Sequence, residues 1–357
     1  MSADKLTIAC GEAARRCEAA LQSAGVPEAD AALVTRSWLL AEMSSMPSHG
    51  LMRLKPTVER LRSGIVNPRP RIRREQTADN ILCYDADGAL GQIAGERAMK
   101  DCIRLALEKG SAFAAVRRAF HFGAIGFYTR MAADAGCLAF MCTNASPQMA
   151  AWGGMDKVLG TNPFALAFPT VKGDAFSLDV STAAAARGKI RLAAREGRKI
   201  PPGWAMDSEG NDTTDAQAAM DGAVLPMAGH KGYGMAMAVD MLSAILTGAD
   251  LSYEASNMFE GNRAVNTGCF ISVLDLSRFV PAETYERRTA EWLERIRSSR
   301  LRPGADRIRI PGDTQNALKA RCPEHIAVSR STWEEILALS SVAQHPEDAN
   351  EPNQNPL

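Results

Sequence analysis

The 357-residue sequence holds only five histidines, and two of them stand where a ring can do chemistry. The stretch "SSMPSHGLMRL" (44–54) places Ser48, His49 and Gly50 just ahead of an amphipathic run. Pro47 disfavours helix at Met46, while Leu51, Leu54, Val58 and Leu61 recur at helical spacing. A helix begun near Ser48 would put His49 and Arg53 four residues apart on one face. His121 follows a local break in "FHFG", a position that presents a ring from a loop. Imidazole exchanges a proton near pH 7, and guanidinium grips a carboxylate by two parallel hydrogen bonds. Histidine acid/base chemistry with an arginine carboxylate clamp is the simplest reading. His230 reads as a polar residue at a helix start, and His325 and His345 lie in polar segments without a role.

Other chemistries lack their signatures. There is no H-x-x-x-H, no H-E-x-x-H and no acidic cluster at ligand spacing, so no metal is expected. A G-x-S-x-G nucleophile turn is missing. The nearest match to a dinucleotide fingerprint, "GYGMAM" (232–237), follows no strand and has Met237 in place of the third glycine. Glycine-rich loops do occur at "WGGMDKVLGTNP" (152–163) and "GHKGYG" (229–234). Their amides, with Lys231 at a helix start, suit a pyrophosphate; by composition they are equally ordinary turns.

These residues need elements to position them. Residues 5–66 read as helical, and 66–79, rich in Pro and Arg, as a connector. From about residue 80, "NILCYDADG", "AFAAVRR" and "LAFMCT" read as strands alternating with the helices "QIAGERAMKDCIRLALEKG" and "IGFYTRMAADAG". That alternation predicts α/β architecture, with sites in the loops after strands. Residues 144–182 are loop-rich with short strands, and a helix is expected over 183–197. "HKGYGMAMAVDMLSAILTGAD" is a helix, "CFISVLDL" a strand, and "AETYERRTAEWLERIRSSR" and "STWEEILALSSVAQ" helices. The expected organisation is a helical region (1–77) with 283–345 packing back on it, an α/β core (78–282) and a disordered tail (346–357).

Bulk composition bounds the function. Apolar residues make up 46% and charged residues 23%, ordinary for a globular protein with buried cores. Lys plus Arg equals Asp plus Glu at 41 each, so no basic field is available for nucleic acid. The eight cysteines (10, 17, 83, 102, 137, 142, 269, 322) form no C-x-x-C pair. With no signal-peptide core and no membrane-length apolar run, a reducing cytoplasm is expected.

Seven segments in order resemble one family: "SHGLMRL", "HFGAIGFY", "TNASPQMAAWGG", "LGTNPFALAFP", "LDVSTAAAARGKI", "PPGWAMDSEGNDTTD" and "HKGYGMAMAVDML". Together, over roughly residues 10–340, they resemble the type 2 malate/lactate dehydrogenases, which include ureidoglycolate and sulfolactate dehydrogenases and cyclic imino-acid reductases. The resemblance implies a non-Rossmann mixed sheet flanked by helices, NAD or NADP as cofactor, a small carboxylate substrate and a homodimer. It places the acid/base role on His121, a substrate contact on His49 with Ser48 beside it, and the carboxylate clamp on Arg53. Cofactor contacts fall on Ala145, Ser146, Asp179, Val180, Ser181 and Lys231, with Gly153, Gly154, Thr161, Asn162 and Gly232 shaping the crevice. Asp179 would serve either the cofactor or as a polar support near the reaction centre.

The sequence departs from the family's pattern in four places. Met46–Pro47 replaces an acidic or small residue before "SHG", and Ala145 stands where serine is common. Ser181–Thr182–Ala183 replaces "ATS", and Cys269 replaces a histidine. The imino-acid branch tends to carry "HFA" and "KGS", whereas Gly123 and Gly232–Tyr233–Gly234 keep the hydroxy-acid form. Reduction of a piperideine- or pyrroline-2-carboxylate is the alternative activity. A non-catalytic cofactor-binding homologue is the second alternative.

Overall fold

The computed structural model of the protein describes residues 4–255, 263–321 and 323–341. In chain order the N-terminal part runs β1 (Lys5–Ala9), α1 (Cys10–Ser23), α2 (Glu28–Met43), two 3-10 turns and α3 (Leu54–Arg62). The middle runs β2 (Arg73–Ala78), β3 (Ile81–Asp85), α4 (Gly91–Lys109), β4 (Ser111–Ala119), α5 (Gly126–Asp134) and β5 (Cys137–Thr143). Two-residue β6 (Met149–Ala150) and β7 (Lys157–Leu159) form a hairpin before β8 (Phe164–Pro169) and β9 (Ala175–Val180). Then come α6 (Arg187–Arg195), β10 (Ala205–Met206), β11 (Asp212–Thr213), α7 (Ala216–Asp221) and α8 (His230–Asp240) with a π-helical extension, Met241–Ile245. The chain closes with β12 (Thr267–Asp275), α9 (Ala282–Arg297), α10 (Asp313–Arg321), β13 (His325–Ser329) and α11 (Arg330–Ser341).

The central sheet has seven strands in the order β2-β3-β4-β12-β5-β8-β9. Only β3 and β4 pair in parallel; every other pairing in it is antiparallel. The expected strand–helix alternation is present, but β12 inserts between β4 and β5. Counting directions along this order, β3, β4, β5 and β9 all point the same way. Their carboxyl ends therefore share one edge of the sheet, the edge where α/β proteins place ligands. Helices α4 and α5 pack on one face, joining Met99, Ala98 and Tyr128 to Leu82, Val116, Met141 and Ile271 in one core. Gly110, with φ +93°, ends α4 as its position in the sequence predicts.

A second core gathers Trp38, Leu51, Leu54, Ile326 and Trp333 around α1, α2, α3 and α11. Phe120, the neighbour of His121, belongs to this cluster and so pins that loop between the two cores.

Three expectations need correction. Residues 5–9 are a strand, not helix: KLTIA alternates exposed and half-buried positions and pairs antiparallel with β13, which the sequence reading did not identify. The second half of the 66–79 connector is the exposed edge strand β2. Finally, 283–345 does not pack back as one unit. β13 and α11 lie on the N-terminal helices, whereas α9 sits at the far end of β8, where Tyr285 Oη donates to Pro169 O at 2.8 Å. The 346–357 tail, His345 and Cys322 lie outside the described residues. The other seven cysteines are free thiols.

Candidate active site

The entrance carrying Ser48, His49 and Arg53 is not one helix. It is two 3-10 turns, Pro47–His49 and Leu51–Arg53, broken at Gly50 and continued by α3. Glu42 from α2 dictates the break: its Oε2 accepts from Leu51 N at 3.1 Å, and a Cβ on Gly50 would fall 2.1 Å from that oxygen. His49 and Arg53 are thus brought together by folded-back turns rather than by helical spacing. Arg53 Nε donates to Ser48 O at 2.5 Å, and Ser48 Oγ lies 3.0 Å from His49 Nδ1.

His121 arrives from the carboxyl end of β4. The start of α4 presses on its backbone, since a Cβ on Gly91 would meet His121 O at 2.6 Å. Gly123, at φ +75°, turns the chain so that its N–H donates to His121 Nδ1 at 3.0 Å. The imidazoles of His49 and His121 lie 5.6 Å apart between centroids, tilted by 33°. All four side-chain bearers (Ser48, His49, Arg53 and His121) keep partial exposure. Burial, then the Arg53 charge, lowers the His49 pKa to about 4 and pushes His121 well below its ordinary 6.5. His49 adds to the effect on His121. Both rings are neutral at pH 7, and Arg53, lowered to about 10 by burial and Arg191, stays cationic. The result is one fixed cation beside two neutral hydrogen-bonding rings, a pocket built for a carboxylate with an adjacent oxygen.

Asp179 closes the β9 side. Its Oδ2 accepts from Gly126 N at 2.7 Å, tying β9 to the first turn of α5 and so to the His121 loop. Of its two expected roles, the hydrogen bond speaks for the support. Burial raises its pKa to about 6 from 3.8, with the Gly126 hydrogen bond opposing. A carboxyl raised in the fold costs nothing below about pH 4, where folded and unfolded chains are both protonated. The cost grows between pH 4 and 6 and is complete above, about 3 kcal/mol at most. Asp179→Asn keeps an acceptor for Gly126. It is expected to melt several degrees above wild type at pH 8 and level with it at pH 4. Equal melting differences at both pH values would contradict this.

The glycine-rich segments gather along the same edge, where the resemblance implies the cofactor crevice. Asn162 is fully buried: Oδ1 accepts from Ala145 N (3.1 Å) and Ser252 Oγ (3.1 Å), and Nδ2 donates to Ala236 O (2.9 Å). Its side-chain polar atoms are therefore spent on tying the 162 loop to Ala145, Ala236 and Ser252. Thr161 O accepts from both N and Oγ1 of Thr182, so the 161 loop and the end of β9 are stitched together. Val180 ends β9 opposite Phe164, and Ser181 Oγ lies 3.3 Å from Ala183 N. Gly160 admits no side chain, since its Cβ would fall 2.2 Å from Ala145 O. Gly232 is held against Met227 O, and Lys231 is exposed in the first turn of α8. Gly153 and Gly154 lie exposed in the β6–β7 hairpin, whose Trp152 ring packs by Gly229. Ser146 and Ala145 follow β5 and remain partly exposed.

Gly160 and Gly232 let these loops close on one another, since a side chain on either would strike the backbone of Ala145 or Met227. The exposed Lys231 in the first turn of the 11-residue α8 suits an anion such as a phosphate. Among the described residues no cluster of histidine, cysteine or acidic side chains is arranged to hold a metal. Cys269 is buried in the sheet core and pairs with Thr143 at the end of β5, two residues before Ala145. Sequence reasoning missed the part played by α6. A Cβ on its Gly188 would lie 3.8 Å from Ser48 Cβ, a proximity that no local spacing announces.

The structure is thus an α/β protein with a seven-stranded mixed sheet, at whose edge two imidazoles and a guanidinium come together. Comparison with known proteins agrees. The family model for malate/L-lactate dehydrogenase matches residues 8–337. A malate dehydrogenase of Pyrococcus horikoshii is 37% identical over 325 residues, covering 88% of this chain and 89% of the relative. An L-sulfolactate dehydrogenase of Methanocaldococcus jannaschii is 35% identical over 88% of this chain and 91% of its own. The solved sulfolactate dehydrogenase of that organism superposes with a TM-score of 0.89 at 32% identity, covering 95% of this chain and 98% of the other. A solved Δ1-piperideine-2-carboxylate reductase from Pseudomonas syringae superposes at 0.83 with 26% identity, covering 94% and 99%. The chain belongs to the malate/L-lactate dehydrogenase family, and is accordingly an NAD(P)-dependent dehydrogenase of small hydroxy acids.

Proposed function

We propose that Arg53 fixes the C1 carboxylate of a 2-oxo or 2-hydroxy acid while His121 exchanges a proton with the oxygen on C2. His49, oriented by Ser48, holds that oxygen from the other side. NAD(P) held by the loops at 145–146 and 179–181 and by Lys231 supplies or takes up the hydride at C2. The observation that carries this reading is the 5.6 Å approach of two neutral imidazoles beside a half-buried guanidinium. Asp179 keeps the His121 loop and the crevice in register through Gly126.

One observation favours a different division of labour within the same pocket. Gly123 N–H occupies the Nδ1 lone pair of His121, which places the neutral ring's proton on Nε2. Such a ring donates a hydrogen bond to a carbonyl oxygen; cycling as acid and base through Nε2 requires Nδ1–H and release from Gly123. Ser48 Oγ, by contrast, can donate to or accept from His49 Nδ1, so that ring is free to take either tautomer. In this second reading His49 moves the proton and His121 polarises the carbonyl.

The test is NAD(P)H consumption with oxaloacetate, pyruvate and a piperideine-2-carboxylate. Turnover of the 2-oxo acids ahead of the imine is expected; preference for the imine would install the reductase alternative. Cofactor binding with no turnover would install the non-catalytic one.

We further infer a homodimer. Met237, Met241 and Ile245 line up at i,i+4 spacing along α8 and its π extension. Met241 is 59% and Ile245 62% exposed, an apolar stripe of the kind a second copy covers. A solution mass of one chain would refute this. No described helix is long and apolar enough to cross a membrane, and the free thiols suit a reducing cytoplasm.

A further inference from the structure

The first turn of α4 carries a polar group that the chain itself leaves unanswered. Gly91 and Gly95 let this helix press on the His121 loop. A Cβ on Gly91 would meet the carbonyls of Phe120 and His121 at 2.6 Å, and one on Gly95 would meet Tyr128 at 2.9 Å. On the same helix Gln92 is 3% exposed, and its Nε2 lies 3.2 Å from where a Cβ on Gly123 would stand. Gly123 is the residue whose N–H holds His121 Nδ1, so the amide packs against the backbone that supports the acid/base ring.

Buried amides are almost always hydrogen-bonded, because drying one without a partner is costly. Asn144 and Asn162, equally buried, have their partners. Among the described residues the Gln92 amide has none. Nor is it sealed off: the side-chain polar atoms that are both fully buried and unpaired belong to Thr35 and Arg130. An unpaired, buried amide with an opening, set against the loop of the acid/base ring, is one that a ligand can complete. The chemistry still to be recognised narrows that ligand. In the dehydrogenase reading above, on which this rests, Arg53 takes the substrate carboxylate and the imidazoles take the oxygen on C2. Hydride transfer brings the nicotinamide within contact of C2, beside His121. That ring bears a carboxamide on the carbon next to the one that carries the hydride. Two carboxamides are self-complementary, each offering N–H donors and a C=O acceptor. We propose that the Gln92 side chain binds the nicotinamide carboxamide and so fixes the ring's orientation beside His121.

The experiment measures calorimetric Kd values for the reduced coenzyme, NADH or NADPH, whichever wild type binds tighter, and for its 3-acetylpyridine analogue. The analogue's methyl ketone keeps the acceptor and lacks the N–H donors. Wild type is expected to bind the carboxamide coenzyme about tenfold tighter than the ketone. In Gln92→Leu that preference collapses, chiefly through weaker binding of the carboxamide coenzyme. Without ligand the same variant should melt at or above wild type, since it removes an unpaired buried amide. Melting several degrees lower would make the amide structural and overturn the assignment. Equal loss on both coenzymes, or no loss, overturns it too, as does unchanged coenzyme affinity with a higher KM for the 2-oxo acid. In each of those cases the dehydrogenase reading stands; a wild type that binds neither NADH nor NADPH overturns both.

Discussion

Replacing His121 by alanine lowers kcat for reduction of a 2-oxo acid by about 10²–10⁴-fold, the range for loss of a positioned acid or base. The fold survives, because the described ring bond is one N–H from Gly123 in a partly exposed loop. A melting curve close to wild type accompanies the kinetic loss. His49→Ala separates the two proton routes: if His121 carries the proton, its loss is the smaller of the two; if His49 does, the larger. Near-wild-type turnover in both variants would remove the imidazoles from the chemistry. The pH profile carries the same information. Alcohol oxidation needs a neutral ring in the free enzyme, and burial with Arg53 keeps both rings neutral well below pH 6.5. kcat/KM for oxidation is therefore expected to stay level from pH 8 to below 6.5. A carboxylate bound on Arg53 cancels that cation's push on the rings, so the kcat profile should break at a higher pH than kcat/KM. Coincident breaks at 6.5 would contradict the electrostatics.

Arg53→Leu is expected to lower kcat/KM by about 30- to 4,000-fold, from the roughly 2–5 kcal/mol that loss of one member of a desolvated charge pair costs. Arg53→Lys should recover little, since an ammonium presents no two-pronged fork to a carboxylate. Part of the loss comes through Ser48, whose carbonyl Arg53 Nε holds in place. A variant saturable by the same acids at wild-type KM would show that the carboxylate binds elsewhere.

Much of this site is written locally in the sequence. His49 and Arg53 stand out as a ring and a cation at a helix entrance, and His121 as a ring presented after a strand. Lys231 and its flanking glycines mark a phosphate-friendly helix start. What local patterns do not carry is the contact between distant segments. Nothing in "SHG" reveals that Glu42 forces the break at Gly50, so the notion of one continuous helix was natural and mistaken. Nothing in "TNP" shows that the Asn162 amide is consumed by Ala145, Ser252 and Ala236. The strand order escaped local reading for the same reason: the resemblance implies a mixed sheet, but β12 slips between β4 and β5 from far along the chain, and only pairing reveals it. β1 is five residues long and pairs with the last strand, so its period of two is too brief to outweigh the helical run behind it.

The most direct measurement is a crystal structure of the protein with NADH and oxamate, an unreactive stand-in for a 2-oxo acid. One carboxylate should be found forked on the Arg53 guanidinium, with the neighbouring oxygen between the imidazoles at positions 49 and 121 and the nicotinamide ring against it. Oxamate seated away from that guanidinium, or a nicotinamide unable to reach it, would contradict the whole account.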